Sequence, residues 1–475
     1  MKNQKVSRKN KNLRYTLWTI LGIILLGVIG VIGATYTINQ DGVFVDGNKS
    51  YARTADIVVC RGTSLADDII KSFQCDVVCK STDTIGECTT ILNNTLKTGN
   101  QKIYIRQGNY TTSSSLIIGS NTTITGDFGY LTHFSKTGNY DIFEITTKNN
   151  IDISGSYFDG VASTNGKAMD IQTSSSNINI HNNIFDNWNT QHPVGVGNSE
   201  YITLAYNKVG DGSGFGAEGG VTNMKILFND FIEASNDYAI IFNGNTNDNS
   251  IGIIEGNTIP FGTVLAGGGI DVAADNVIIK DNYISNTFKN GILVRDNKAL
   301  GGNDNITNII IEGNIIVNVT SGQRGLSFSN TNSNHSAYIQ INNNYFDQGM
   351  SMNGIQNAKI TNNYLVNNGF YTLASNRITF SGNTIKNSDY VINIEPTYPY
   401  LNNSLIYDNE LINVSSLFYG NRVPLNSYIK EYTYSGAISA QFCGLLNSTT
   451  SERTIHNSST SCTCTGGAWK CWSMT

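Results

Sequence analysis

Charge is scarce in this chain of 475 residues: Asp, Glu, Lys and Arg together make up 14%. The formal net charge is −5, which offers no basic footprint for a nucleic-acid partner. No cysteine falls between Cys88 and Cys443, and none of the 8 stands in the Cys-x-x-Cys form usual for a zinc site. The shortage of charge does not mean disorder, because apolar residues recur with a regular period. What abounds instead is Asn, Ser, Thr and Gly, a composition suited to a solenoid with neutral polar outer faces. The length is ample for a large core.

From about Ile151 to Val414 one phrase recurs: apolar, any, apolar, two of any kind, Asn, any, apolar. It reads Ile178–Ile180–Asn183–Phe185, Ile202–Leu204–Asn207–Val209 and Met224–Ile226–Asn229–Phe231. It continues through Asn257, Asn282, Asn314, Asn344, Asn363 and Asn383 to Asn409, and opens at Ile151–Ile153–Ser156–Phe158 with Ser in the Asn place. Successive Asn stand roughly twenty to thirty residues apart, the range of a stacked solenoid. Apolar residues two apart point to one face of a strand. Asn is the non-glycine residue that best tolerates a left-handed backbone, and is predicted to turn the corner. A second strand signal follows in most repeats: Val194–Val196, Phe215–Ala217, Ile240–Phe242, Ile270–Val272, Ile292–Val294 and Leu326–Phe328. Coils of this kind stack at about 4.8 Å, strand on strand and Asn on Asn. β-Sandwiches and propellers also use short strands, but they do not repeat one corner Asn at this spacing.

These residues resemble the pectate-lyase-like right-handed parallel β-helix superfamily, in which stacked Asn fill the turn between the second and third sheets. The resemblance covers roughly residues 100–415 and implies an all-β fold, a right-handed parallel β-helix of about 11–13 coils. It says little about activity, because hydrolases, lyases, epimerases, tailspikes and plain surface proteins share that scaffold. Thr122–Gly126 resembles the family's opening coil. The resemblance also implies a working cleft over the first sheet, here the second strand signal of each repeat.

The ends carry different chemistry. Residues 1–14 hold Lys2, Lys5, Arg8, Lys9, Lys11 and Arg14 and no acid. The apolar run from Leu17 to Ala34 is long enough to cross a bilayer, so residues 15–35 are predicted to be one transmembrane helix with the N-terminus inside. Cleavage near Gly33, as a secretory signal, is the competing expectation; the length of the run favours an uncleaved anchor. Either way the body is extracytoplasmic. Cys60, Cys75, Cys79 and Cys88 then predict two disulfides in an N-terminal cap at 36–100, and Cys443, Cys462, Cys464 and Cys471 two more in a C-terminal cap or tail at 425–475. Connectivity stays open. Leu65–Phe73 and Cys88–Leu96 have helical spacing, and an amphipathic helix there would plug the open end of the first coil. The β-helix proper spans 101–424.

Outward positions on the first sheet run Asp170, Gly195, Gly216, Ile241, Asp271, Leu293 and Ser327, and two residues further Gln172, Gly197, Glu218, Asn243, Ala273, Arg295 and Ser329. Mid-sheet this offers Glu218, Asp271 and Arg295 as candidate catalytic residues, with Tyr238, Lys289 and Arg324 as candidate substrate-binding residues. Gly195, Gly197, Gly214 and Gly216 are expected to leave a flat floor beside them. Loops swell at Pro260–Gly268, Asn243–Ser250, Asp296–Thr307 and Ser329–Ser336, and variable loops on a rigid scaffold are where binding usually lives. A glycan groove needs acids for proton transfer and a cation near the cleaved bond. Glu218 and Asp271 lie two coils apart, about 10 Å by the stacking distance, wider than the usual spacing of a hydrolytic acid pair. Scattered, solvated charges are the plain alternative.

The family's catalytic signatures are missing. The only Asp-Asp, Asp67-Asp68, lies in the cap; no His stands between glycines; Arg377-Ile378 is followed by Thr379. Asp-Pro-His and the Trp-x-Asp-His and Arg-x-Pro-x-x-Arg patterns are absent. No family catalytic residue carries over. Two surface columns are also predicted. Glu255, Lys280 and Glu312 form a charge ladder, and Leu227, Ile253, Ile278 and Ile310 an apolar stripe that a loop, the tail or a second subunit covers. Calcium has only the single, non-repeating Asp211-Gly-Ser-Gly and Gly301-Gly-Asn-Asp to support it, and no other cofactor is indicated. Two functions follow. One is a surface-anchored protein that binds a cell-surface glycan or builds the envelope without catalysis; the other is a lyase or hydrolase of an acidic polysaccharide. The lost signatures favour the first.

Overall fold

The computed structural model describes residues 55–127, 129–160, 165–188, 192–210, 212, 214–232, 237–244, 251–260, 267–296, 306–329, 337–394, 401–415, 418–419, 428–435, 453–456, 460–465 and 468–473. The predicted basic segment 1–14 and span 15–35 lie outside the described residues, as do most of the swollen loops, Asp211, the 301–304 stretch and the side chains of the four late cysteines. Among the described residues no helix is long and apolar enough to cross a membrane.

The chain winds as a parallel β-helix. Through most of its length each strand pairs in parallel with the strand three further along: Ile292–Arg295 with Leu326–Ser329, Thr307–Glu312 with Ala337–Asn342, and Ile315–Val317 with Tyr345–Asp347. That rule makes a coil of three strands and a prism of three faces. Within each strand, alternation sends every second side chain inward. Ile309 and Ile311 are fully buried and Ile310 between them is half-exposed. The inward residue after the corner stacks coil upon coil: Phe134, Phe158 and Phe185 lie face to face at 5.4 and 5.3 Å. Such aromatic pairs contribute about 0.5–1.5 kcal/mol each beyond their buried area.

The repeated Asn form a single file, from Asn183 to Asn409, and all are buried. Asn282 shows the pattern. Its Oδ1 accepts from the backbone N–H and the Nδ2 of Asn257, at 3.0 and 2.9 Å. Its Nδ2 donates to Ile254 O, Lys280 O and Asn314 Oδ1, at 2.9, 3.0 and 2.9 Å. Burial of an amide is tolerated because every polar atom is matched. Ser156 heads the file: its N–H donates to Asn183 Oδ1 at 3.1 Å, but its buried hydroxyl finds no partner.

The corner works differently from the expectation. The ladder Asn are not left-handed; the residue before each of them is, at φ between 52° and 67° in Asn182, Tyr206, Phe228, Gly256 and Asp281. The outward-pointing residue bends the backbone, while the Asn turns inward and ties coil to coil. Left-handed Asn do occur, at another corner. Asn121, Asn150, Asn276 and Asn308 have φ of 53–57° and bond as exposed pairs between neighbouring coils, Asn150 Nδ2 donating to Asn121 Oδ1 at 2.7 Å and Asn308 Nδ2 to Asn276 Oδ1 at 2.8 Å.

The N-terminal cap holds helices α1 (Leu65–Gln74) and α2 (Ile85–Leu96), where helical spacing predicts them. A Thr84–Glu87 capping box starts α2, and its Cys88, Leu92 and Leu96 join the core with Ile103 and Ile105. So α2 is the plug. Helix α1 lies outside, its apolar stripe turned outward: Leu65, Ile69, Ile70 and Phe73 are 69%, 60%, 51% and 61% exposed. Disulfides join Cys60 to Cys75 and Cys79 to Cys88. At the far end Tyr428–Ser435 adds another parallel strand to Leu405–Val414, and Thr460–Thr465 then pairs antiparallel with Arg453–His456 and Ala468–Ser473.

The charge ladder forms in register as Glu255, Lys280 and Glu312, with Lys280 Nζ 3.8 Å from Glu255 Oε1. The apolar stripe is Ile253, Ile278 and Ile310. Leu227 does not belong to it: Lys225 stands opposite Ile253, and Leu227 opposite Glu255. Counted back from the corner Asn, Leu227 is two residues out of phase with the three isoleucines.

Candidate functional site

The outer face of the first sheet carries the candidate site. Asp170, Gly195, Gly216, Ile241, Asp271, Leu293 and Ser327 occupy one row in register across seven coils, as their spacing predicts. Ile270 and Val272 point into the core and leave Asp271 on the outside.

Asp271 is nonetheless only 4% exposed. Arg295, from the next coil, lays its guanidinium on it: Nε donates to Oδ1 at 2.8 Å and to Oδ2 at 3.0 Å. Burial pushes the Asp271 carboxyl up, and the Arg295 contact opposes that shift. The same contact raises Arg295. Tyr238, on the coil below, is 6% exposed and lies over Gly268, where an added Cβ would come within 2.2 Å of its ring. Burial pushes the Tyr238 hydroxyl well up; the Asp271 charge adds to this and a bond with Asn290 opposes it. Lys289 places Nζ 5.3 Å from the Tyr238 ring centroid and 3.1 Å from Asp237 Oδ1. Tyr238, Asp271, Lys289 and Arg295 thus meet on three successive coils. Arg324 approaches the same edge through its backbone, whose N–H donates to Asn290 Oδ1 at 2.9 Å.

Glu218 does not keep the register expected of it. Strand Phe215–Leu227 pairs with Tyr238–Gly244 through Ala217 opposite Phe242, and resumes at Val221 opposite Gly244. Two extra residues are accommodated between, where Gly219 and Gly220 take φ of 75° and 74°. The count along the strand is offset by two across such a bulge, so the register does not set Glu218 opposite Asn243.

The glycine floor is not bare. A Cβ on Gly195 would stand 2.4 Å from Lys167 Nζ, one on Gly197 2.4 Å from Gln172 Oε1, and one on Gly216 2.5 Å from His192 Cδ2. Side chains therefore lie across these glycines. Lys167 Nζ and Gln172 Nε2 both donate to Asp170 Oδ1, at 2.7 and 3.0 Å. Lys167 and His192 carried no signal in the repeat pattern, because they sit outside it; only the glycines beneath them did. Gly214 differs. Its φ is 74° and a Cβ would fall 1.8 Å from Ala239 O, so the backbone itself demands glycine there.

Among the described residues no group of three or more His, Cys, Asp and Glu is placed to hold a metal ion. A cavity of about 460 Å³ opens on another face, over the second sheet, lined by residues that include Tyr201, Thr203, Lys225 and Ile253. None of the predicted site residues lines it.

No protein-family model and no curated protein matches this chain. Solved structures are similar in fold. The A-module of a mannuronan C-5 epimerase of Azotobacter vinelandii is 12% identical, the match covering 74% of this chain and 95% of that one with a TM-score of 0.45. A surface adhesin of Streptococcus pneumoniae is 13% identical over 82% and 94%, with a TM-score of 0.42. An alginate lyase, solved in complex with G6, is 13% identical over 80% and 88%, with a TM-score of 0.49. Parallel pairing of each strand with the third one on, together with the buried Asn file, makes the fold of this chain a parallel β-helix.

Proposed function

We propose that this chain is a membrane-anchored, extracellular β-helix protein that binds a glycan along the outer face of its first sheet without cleaving it. One observation carries the non-catalytic part: the single Arg295 Nε–H is shared between both carboxylate oxygens of Asp271, which holds that carboxylate in an ion pair. A carboxylate held that way is a poor proton shuttle, since a general base must reach the proton it removes. The long polar face, with Tyr238 and Gln172 along it, suits an extended ligand of repeating hydroxyl groups. Lys289 and Arg324 flank it as binding residues. Support for a place against the membrane comes from α1, whose outward apolar stripe follows soon after the apolar run of residues 15–35.

The test is a glycan array probed with the full-length chain, paired with assays for reducing ends and unsaturated products on acidic polysaccharides. Binding without product is the expected result. Product formed by the wild type and lost in Asp271→Ala would replace this proposal by the second one. That second proposal is a polysaccharide lyase or hydrolase using Glu218, Asp271 and Arg295. It is favoured by the burial that pushes the Asp271 carboxyl above its ordinary value beside the Tyr238 hydroxyl, the direction of shift a general acid needs.

A further inference from the structure

The outer face of the first sheet holds a second, N-terminal set of polar groups that the mid-sheet cluster does not use. Gly195, Gly197 and Gly216 do not take a left-handed φ, so φ does not require glycine at any of them. Glycine inside a strand weakens it by roughly 0.5–1 kcal/mol relative to alanine. What an added methyl would meet is, in each case, a side chain from a neighbouring segment: Lys167, Gln172 and His192. The three glycines are a bed, and these side chains lie flat on it. Asp170 ties two of them together by accepting from both Lys167 and Gln172 on one oxygen. The result is a pre-set floor of amide, carboxylate, ammonium and imidazole groups, three coils wide.

The charges on this face bear on what the floor can hold. Lys167 is 2.7 Å from Asp170, Lys289 3.1 Å from Asp237, and Arg295 2.8 Å from Asp271. Arg324 apart, the cations of both sets are paired with carboxylates. Glu144 lies beside Asp170 in register, and Asp141 accepts the backbone N–H of Lys167 at 2.6 Å, which adds acid to the N-terminal end. An anionic ligand would add charge beside Asp170, Glu144 and Asp141, and would compete with Asp271 for Arg295, whose Nε already contacts both carboxylate oxygens. A hydroxyl needs no such exchange, for it can donate to Asp170 or Glu144 and accept from Lys167 or Gln172.

We infer that Lys167, Asp170, Gln172 and His192 form a second subsite of the groove, and that the ligand it takes is an uncharged, hydroxyl-rich glycan. This rests on the glycan-binding function proposed above and names its ligand class.

The experiment is equilibrium binding of the full-length chain, in detergent, to neutral glucan and mannan oligosaccharides and to uronate oligosaccharides, each at low and high salt. Neutral oligosaccharides should bind, with less than about a twofold change across the salt range, since no counterions are released or screened. Gln172→Ala and Gly195→Ala, the latter displacing only the end of Lys167, should each weaken binding about tenfold, the worth of one or two hydrogen bonds. Circular dichroism of each variant checks that the coil is intact. Binding of uronates alone, falling with salt, would overturn the ligand class and leave the groove standing. Neutral binding that neither variant weakens would overturn the subsite. No binding by any oligosaccharide would overturn the glycan-binding function itself, and this inference with it.

Discussion

Asp271 and Arg295 belong to adjacent coils, and the guanidinium Nε of one contacts both carboxylate oxygens of the other, at 2.8 and 3.0 Å. They stand two residues out of step in the sheet register, so the pair exists only because Arg295 reaches back along the strand direction. The carboxylate side chain is 6% exposed and the guanidinium 31%.

Removing the cation should therefore hurt more than removing both partners. Arg295→Leu is expected to destabilise the fold by about 1–3 kcal/mol, below the loss for a fully buried pair because Arg295 is partly solvated. The double variant Asp271→Asn/Arg295→Leu should recover most of it. Denaturant midpoints of the three proteins check this. The pH sign follows from Asp271, whose folded pKa is raised by burial. The folded state holds its proton longer than the unfolded chain, so stability falls as pH rises from the ordinary carboxylate value through the raised one. Relative to the double variant, Arg295→Leu should regain stability on acidification.

The interior Asn should count for much more than the exterior ones. Asn282→Ala removes three donated bonds and leaves the buried N–H of Asn257 unmatched. A loss of about 2–4 kcal/mol is expected, the cost of unsatisfied buried polar groups. Asn308→Ala cuts one exposed amide bond and puts Ala at a left-handed position, for about 1–2 kcal/mol. Paired thermal melts of the two variants give the comparison; equal losses would contradict the ladder's role.

Two glycines on either side of Phe215 should behave oppositely. Gly214→Ala drives a methyl into the Ala239 carbonyl from a left-handed backbone, and the protein should fail to accumulate in folded form. Gly216→Ala displaces the His192 ring and should keep its melting temperature within a few degrees. Expression yield and thermal denaturation distinguish them.

Lys136 sets a second pH dependence. Its Nζ donates to Tyr140 O at 3.0 Å and Asn165 O at 2.9 Å, and lies 4.7 Å from the Trp188 ring centroid. Burial pushes its pKa down from 10.5 to about 8, with Asp141 opposing. Between those values the unfolded chain carries the proton and the folded chain does not. Stability relative to Lys136→Met should therefore rise with pH from about 8 to 10.5. A flat difference across that range, measured by urea denaturation, would contradict it.

The legibility of the fold came from two local signals. Alternation marks which side chains face inward, and the Asn phase marks where each coil turns. Together they place Ile309, Ile311, Asn314 and Ile316 in the core and align Asp170 with Asp271 along one row. Where phase is interrupted, counting fails: Gly219 and Gly220 insert a bulge, and Glu218 leaves the row assigned to it. The Asn phase itself sets Lys225, and not Leu227, in the column of Ile253. Spacing does not say which of two neighbours takes the left-handed φ, because an Asn fits either a strained backbone or a buried hydrogen-bond ladder.

The sequence by itself determined the coil, the inward face, the place of each corner though not its left-handed residue, and the presence of a disulfide-bearing, helical cap, all consequences of chemistry within a few residues. Only the tertiary structure decided that Arg295 reaches Asp271, that Lys167, Gln172 and His192 lie on glycines of neighbouring segments, and that α1 turns its apolar stripe outward. Those contacts depend on how far a flexible side chain extends across a 4.8 Å stack, and on which of two helices fits the open end. Spacing along one strand carries neither.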